Sequence, residues 1–328
     1  MTAVYLVTGG CGFIGSHLCE ALVESGAQVR ILDDLSTGSL SNVPKERVVV
    51  IQGSVADPAT VDAAFEGVTG CFHLAAITSV DRSTQDWFES HRVNLSGAIA
   101  VFDAARRFGR PLPIPVVYAS SAAIYGDCKQ LPICETTPAR PRSPYGADKY
   151  ACELHAWIAS NIHKVPTTGL RFFNVYGPRQ DPSSPYAGVI SIFCKRLQEG
   201  KPINVFGEGM QTRDFVFVTD AVAALVEAMR RATNRPAVFN VCSEKETSVL
   251  TLAQLIGELC GSTPEIRFQP PRPGEIFRSW GDGGLMNRCF GLSAAVELRA
   301  GLRETLSWMR EHGGDGSGDN PRSTNKTG

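Results

Sequence analysis

Short apolar runs and helical periodicities alternate along the first half of the chain. Residues 4–7 form an apolar run about as long as a buried strand. Residues 16–25 carry a helical pattern, with Leu18, Leu22 and Val23 on one side and Gly26 as the stop. A second apolar run at 29–32 ends in Asp33-Asp34. Further strands are predicted at 48–52, 70–74, 115–119 and 168–172, with helices at 58–65 and 93–108 between them. Strands that alternate with helices predict a parallel sheet covered on both faces. After Asn174 the pattern changes, and Gly-Pro, Asp-Pro and Ser-Pro pairs punctuate 177–185, as in loops that reach over a site. Helices are predicted at 189–199 and 249–261, and strands at 216–218 and 238–241. The segment 313–328 is rich in Gly, Ser, Asp and Asn without apolar period, and is expected to be disordered. There are no internal repeats.

The turn between the first strand and first helix reads Thr8-Gly9-Gly10-Cys11-Gly12-Phe13-Ile14-Gly15. Glycines permit a tight turn and let the backbone approach a pyrophosphate, which then meets the N–H groups at the helix start. Asp33 follows at the end of the second strand, where a carboxylate can hold a ribose 2′-hydroxyl and would repel a 2′-phosphate. Strand, glycine turn, helix, strand and acid together predict a dinucleotide site for NAD rather than NADP.

Composition narrows the partners. The 328 residues carry a net charge of −1, with no basic footprint for nucleic acid or a membrane surface. No apolar run approaches the roughly 20 residues that span a bilayer. The strand near Met1 leaves no room for a signal peptide, so a cytoplasmic protein is expected. Ten cysteines are scattered without CxxC or Cys/His clusters, so neither a metal site nor a disulfide framework is expected. Cys11 reads as a small filler of the glycine loop. His17 and His73 read as structural.

The stretch Ser143-Pro144-Tyr145-Gly146-Ala147-Asp148-Lys149 adds chemistry. Ser143 suits a helix cap and Pro144 the first helical position. Tyr145 and Lys149 then stand at i and i+4 on one face. A phenol is a weak base at neutral pH, and a nearby ammonium favours its charged form. The pair can take a proton from an alcohol or sugar hydroxyl.

These segments, with Tyr118-Ala119-Ser120-Ser121-Ala122-Ala123-Ile124-Tyr125-Gly126, Arg171-Phe172-Phe173-Asn174-Val175-Tyr176-Gly177-Pro178-Arg179 and Gln211-Thr212-Arg213-Asp214-Phe215, resemble the extended short-chain dehydrogenase/reductase superfamily over residues 3–311. Within its NAD-dependent epimerase/dehydratase family, the chain is most similar to UDP-glucose and UDP-N-acetylglucosamine 4-epimerases. The resemblance implies a Rossmann-type doubly wound α/β sheet with a smaller, interleaved lobe. The NAD domain would span 1–174, with 211–241 returning to it, and the nucleotide-sugar lobe 175–312. Ser121 would complete a triad with Tyr145 and Lys149, and Lys149 would also hold the nicotinamide ribose. The cofactor site would include Gly9, Gly12, Phe13, Ile14, Gly15, Asp33, Ser36, Thr37, Gly38, Ser54, Val55, Leu74, Ala75, Ala76, Asn94 and Phe172. Ser54 departs from the family pattern, which often has Asp there. Asn174, Arg213 and Arg272 would contact the diphosphate, Glu275 the nucleotide ribose and Phe206 the uracil. Val189, Asn204 and Ser279 would complete the substrate site. The family also implies a homodimer built from two helices, here near 93–108 and 148–161.

Several reactions of this family begin alike, with Tyr145 taking the O4 proton while C4 gives hydride to NAD. Resembling dehydratases place Asp-Glu after the serine, and decarboxylases a Glu in this stretch. Here Ala122 and Ala123 follow, and alanine transfers no proton, so 4-epimerisation of a UDP-hexose is expected. Another modification of a nucleotide sugar, a one-way oxidoreductase and a non-catalytic dinucleotide sensor are the alternatives. Ser279 stands where strict UDP-glucose epimerases carry Tyr, and its small side chain predicts room for a 2-acetamido group.

Overall fold

The computed structural model describes residues 2–109, 111–182, 188–271 and 275–312. The tail 313–328 and Arg272 lie outside the described residues.

Among the described residues, twelve strands run in chain order: β1 (Val4–Thr8), β2 (Gln28–Asp33), β3 (Val48–Gln52), β4 (Gly70–His73), β5 (Val116–Ser121), β6 (Thr167–Phe172), β7 (Asn174–Tyr176), β8 (Ile203–Phe206), β9 (Thr212–Phe217), β10 (Ala237–Val241), β11 (Glu246–Ser248) and β12 (Ile266–Gln269). Seven build one parallel sheet in the order β10-β6-β5-β4-β1-β2-β3. Every residue of β4 and β6 is buried, as expected of strands covered on both faces. This is a Rossmann-type doubly wound fold.

The chain leaves β1 toward β2 and β3 on one side and returns to β4, β5 and β6 on the other. The strand order reverses between β1 and β4, and ligands of such sheets bind in the crevice beyond the strand ends at that point. Here the crevice opens between the glycine loop after Thr8 and the segment after His73.

Two apolar layers clasp the sheet. On one face Leu18 and Leu22 of helix Phe13–Glu24 pack in one cluster with Leu225 and Ala228 of helix Val218–Arg230. On the other, Phe65, Val101, Phe102 and Ala156 join helices Pro58–Phe65, Gly97–Phe108 and Pro144–His163. A third cluster, with Phe193, Leu252, Ile256 and Leu306, holds helices Val189–Gln198, Val249–Leu259 and Leu298–His312 together as the smaller lobe. That lobe also carries a sheet of β11-β9-β7 and the pair β12-β8. β9 therefore belongs to the small sheet, whereas β10 forms the edge of the large one.

Two elements differ from their sequence expectation. The strand expected at 216–218 runs Thr212–Phe217, and Val218 already starts a helix whose first turn carries Asp220. An unbroken apolar run does not separate a strand end from a helix start. The helix expected over 93–108 opens with a widened π turn, Arg92–Ser96, before the α-helix begins at Gly97. In that turn the Asn94 carbonyl accepts the Cys152 thiol at 3.3 Å.

Candidate active site

β1 ends at Thr8, and the next four residues turn into helix Phe13–Glu24 without a side-chain cap. Its first N–H groups are thus left to face a ligand. The turn is tight because glycine permits it. Gly9 has φ of +71°, and a Cβ there would come within 2.8 Å of the Ala75 nitrogen. A Cβ on Gly15 would stand 2.1 Å from the Gly9 carbonyl oxygen.

Asp33 ends β2 and is buried. Its carboxylate accepts the Cys11 N–H at 2.9 Å and the Leu35 N–H at 2.8 Å. Burial pushes its pKa up, and those two N–H bonds oppose the rise. The acid thus tethers the glycine loop as well as facing the crevice. Cys11 is fully buried, and burial with the Asp33 charge raises its thiol to about 11, so it is no nucleophile at neutral pH.

The catalytic candidates come from two neighbouring elements. Ser121 is the last residue of β5 and caps a short helical turn, its hydroxyl oxygen accepting the Ala123 N–H at 3.1 Å. The hydroxyl proton remains available to a ligand. Helix Pro144–His163 starts with Ser143 accepting the Gly146 N–H at 3.1 Å, a cap worth about 1 kcal/mol. Tyr145 is half-buried in its first turn, where its backbone N–H donates to the Ser83 hydroxyl at 3.2 Å. Lys149 is buried, its Nζ 5.9 Å from the centre of the Tyr145 ring. That ammonium donates to the Ala119 carbonyl at 2.8 Å, on the strand that ends in Ser121. One turn of helix and one strand end thus aim three side chains at the same space.

That space is a cavity of about 460 Å³. Its wall includes Ser121, Tyr145 and Lys149 together with Gly9, Gly12, Phe13, Ile14 and Gly15 of the loop. Asp33, Ser36, Thr37, Gly38 and Val55 border it on the β2 side, and Leu74, Ala75 and Ala76 follow β4. Phe172, Asn174 and Val189 line it from the second half of the chain.

Other expected residues stand elsewhere. Asn94 is buried off the wall and clasps its neighbour, with the Ile77 N–H donating at 2.7 Å and the Ile77 carbonyl accepting at 3.1 Å. Ser54 accepts the Ala56 N–H at 3.2 Å and shapes a turn. Asn204 and Phe206 on β8, Arg213 on β9, and Glu275 and Ser279 in the segment after β12 do not border this cavity. Arg213 donates from Nη1 to the Thr212 and Ile276 carbonyls at 2.8 Å, while Glu275 lies 3.5 Å from its Nη2. Burial lowers the Arg213 pKa, and the Glu275 charge opposes it. Ser279 sits between Arg278, bridged to Thr212, and Trp280, whose carbonyl accepts the Ile133 N–H at 3.0 Å.

Sequence reasoning missed part of the wall, including Ser120, Phe173, Gln180 and Phe215. Gln180 follows the Tyr176-Gly177-Pro178-Arg179 stretch. It accepts the Ser191 hydroxyl at 2.7 Å and donates to the Val175 carbonyl at 3.3 Å, bracing the crevice mouth. Only adjacency to that motif could have flagged it.

The two histidines are committed to packing. His73 at the end of β4 is buried and bonds Thr8 Oγ1 at 2.8 Å; burial first, then the Lys149 charge, push its pKa down to about 3. His17 pairs through Nε2 with the Pro178 carbonyl at 2.9 Å, and burial lowers its pKa. Among the described residues no group of three or more His, Cys, Asp or Glu could hold a metal ion, and no helix is long and apolar enough to cross a membrane.

A glycine cradle that a Cβ would fill, a buried acid at the end of β2 and a long shared cavity fit a dinucleotide. The model of the NAD dependent epimerase/dehydratase family matches residues 5–242. The chain belongs to that family. It is an enzyme whose cofactor is NAD. A UDP-glucose 4-epimerase of Mycolicibacterium smegmatis is 37% identical over 93% of this chain and 98% of its own length. The crystal structure of a Thermotoga maritima UDP-glucose 4-epimerase with UDP-glucose superposes with a TM-score of 0.90, at 34% identity over 94% of this chain and 99% of that one. A UDP-N-acetylglucosamine 4-epimerase of Methanobrevibacter ruminantium M1, in complex with UDP-N-acetylmuramic acid, gives 0.89 at 30% identity over 95% and 99%.

Proposed function

We propose that the enzyme catalyses the 4-epimerisation of a UDP-hexose and accepts both N-acetylated and plain sugars. The observation that carries this reading is the convergence of Ser121, Tyr145 and Lys149 on the cavity that also holds the glycine loop and Asp33. Tyr145 takes the proton from the sugar O4 and later returns it. Ser121 donates a hydrogen bond to O4 from the hydroxyl whose oxygen accepts the Ala123 N–H. The Lys149 ammonium, 5.9 Å from the phenol ring, stabilises negative charge on it and keeps protons to offer a ribose hydroxyl. NAD, when bound, supplies the acceptor for hydride from C4 and its return. The protein orients the two partners, and Ala122 and Ala123 put no acid or base in the two positions after Ser121 for loss of water. Arg213 and Asn174 would grip the diphosphate while the ring turns over and presents its other face. Arg272 would join them, with Glu275 on the nucleotide ribose and Phe206 on the base. Names of the relatives support the UDP-hexose, one of them on glucose and another on N-acetylglucosamine.

The test is direct. Purified protein incubated with UDP-GlcNAc, without added NAD, should yield UDP-GalNAc, because the bound cofactor ends each turnover as it began. Ser279→Tyr should lower that conversion by about 100-fold or more and spare UDP-glucose, since a bulky ring would fill the space of the acetamido group. Equal rates before and after the substitution would remove Ser279 from the specificity site. Conversion of neither sugar by the wild type would end the epimerase reading.

A homodimer belongs to the same reading. Along helix Pro144–His163, Leu154, Trp157, Ile158 and Ile162 recur at helical spacing and are 40–65% exposed, beside Trp87 and Phe88 of helix Trp87–His91 and Ile99 of Gly97–Phe108. Exposed apolar side chains recurring along these helices suit an interface, and a second copy of the same helices would cover them. Sedimentation should return twice the chain mass of 35.3 kDa, and Trp157→Glu should return the single mass with NAD still bound. A monomeric wild type would refute it.

A further inference from the structure

Helix Pro144–His163 carries a third polar side chain in line with the catalytic pair. Glu153 stands four residues beyond Lys149 and eight beyond Tyr145, on the same face. It is buried, and so is its partner Arg171 on β6. Their contact is two-pronged, with Arg171 Nε donating to Glu153 Oε1 at 2.8 Å and Nη2 to Oε2 at 2.7 Å. Glu153 Oε1 also accepts the Ser120 hydroxyl at 2.5 Å. Ser120 sits on β5 between Ala119, whose carbonyl holds Lys149, and Ser121. Arg171 further donates from Nη1 to the Tyr125 hydroxyl at 2.8 Å and the Glu135 carbonyl at 2.9 Å. The Tyr125 hydroxyl in turn donates to Asn240 Oδ1 at 2.6 Å, at the edge of the large sheet.

A buried ion pair is a poor way to gain stability, because desolvation offsets the attraction and apolar residues of similar volume do as well. What it adds is direction. Apolar contacts tolerate small slips of a helix along a strand, whereas a two-pronged pair with a third fixed donor tolerates much less. Here the clasp joins the helix of Tyr145 and Lys149, the strand of Ser121, and the strand that runs on into Asn174.

We propose that Glu153 is a positioning residue of the reaction: by holding Ser120 and Arg171 together it sets the register of helix Pro144–His163 against β5, and so the spacing of the Tyr145 phenol and the Ser121 hydroxyl around the sugar O4. This rests on the roles given above to Ser121, Tyr145 and Lys149.

Two variants separate positioning from plain structural support. The double variant E153L/R171M replaces the pair by apolar side chains and should stay folded with its bound NAD. Its kcat should nevertheless fall by about 10- to 100-fold, with KM within about 2-fold of wild type. S120A leaves the ion pair intact and removes only the link to β5, so it should fold normally and lose about 10-fold in kcat. A structural role alone would move melting temperature and leave kcat untouched. S120A at the wild-type rate, or rate losses that simply track lost NAD, would overturn the proposal. Should the double variant fail to fold, S120A decides alone. Wild type is run beside them on UDP-glucose and UDP-GlcNAc: a silent wild type sinks the epimerase reading, whereas an active wild type matched by S120A sinks this one.

Discussion

Tyr145→Phe is expected to leave a folded protein that keeps its NAD and has lost its turnover. The substitution removes one oxygen and little else. The helix start is untouched, because the cap is the Ser143 side chain and the Tyr145 contact to Ser83 runs through the backbone N–H. The ring still faces the Lys149 ammonium, and Lys149 still reaches the Ala119 carbonyl. What disappears is the group proposed to accept the O4 proton, a contribution of about 10²- to 10⁴-fold for a positioned acid or base. Ser121 cannot replace it, since a neutral aliphatic hydroxyl is too weak a base to take the O4 proton at neutral pH. Neither can His73, which is buried and bonded to Thr8. The measurement is the rate on UDP-glucose together with nicotinamide content after denaturation. Full NAD with no rate is the expected pair; a rate within about 10-fold of wild type would mean that another group is the base.

What the sequence disclosed follows from the range of the interactions involved. The glycine loop, the acid after β2 and the Ser143-Pro144 helix start are local: their residues touch within a few positions or across one strand–helix–strand unit. Local chemistry leaves readable spacing. The clasp of Ser120, Glu153 and Arg171 is different. Its members are 33 and 18 residues apart along the chain and meet only because β5, β6 and helix Pro144–His163 stack side by side. No period or motif announces such a contact. Asn94 makes the same point from the other direction. Its place in the family pattern suggests cofactor contact, whereas its side chain is spent on the backbone of Ile77, which does line the cavity. The apolar run through Val218 misled for a third reason, since strand and helix are equally apolar where both are buried.

Gly15→Ala is expected to abolish cofactor retention, and here the cause is volume alone. Gly15 is the third residue of helix Phe13–Glu24, and its backbone is not in the left-handed region that favours glycine. Alanine would ordinarily stabilise such a position by up to about 1 kcal/mol. Instead its methyl carbon would stand 2.1 Å from the Gly9 oxygen and 2.8 Å from the Gly10 Cα, both backbone atoms that cannot rotate aside. The loop has no room to retreat either. Its far side already abuts the Ala75 backbone closely enough that a Cβ on Gly9 would lie 2.8 Å away, and Gly10 is backed by Ile31. The helix start and the loop must therefore part, and the N–H groups that would meet the pyrophosphate lose their common focus. A ligand present at 100 times its Kd stabilises a fold by about 2.7 kcal/mol, so added NAD should raise the melting temperature of the wild type and leave that of Gly15→Ala unmoved. Gly26→Ala supplies the contrast. Gly26 has φ of +86° with nothing within 4 Å of a new Cβ, so its replacement should cost about 1 kcal/mol through backbone strain and leave NAD binding intact. If Gly15→Ala purified with as much NAD as the wild type, the closeness of loop and helix would not be what the cofactor depends on.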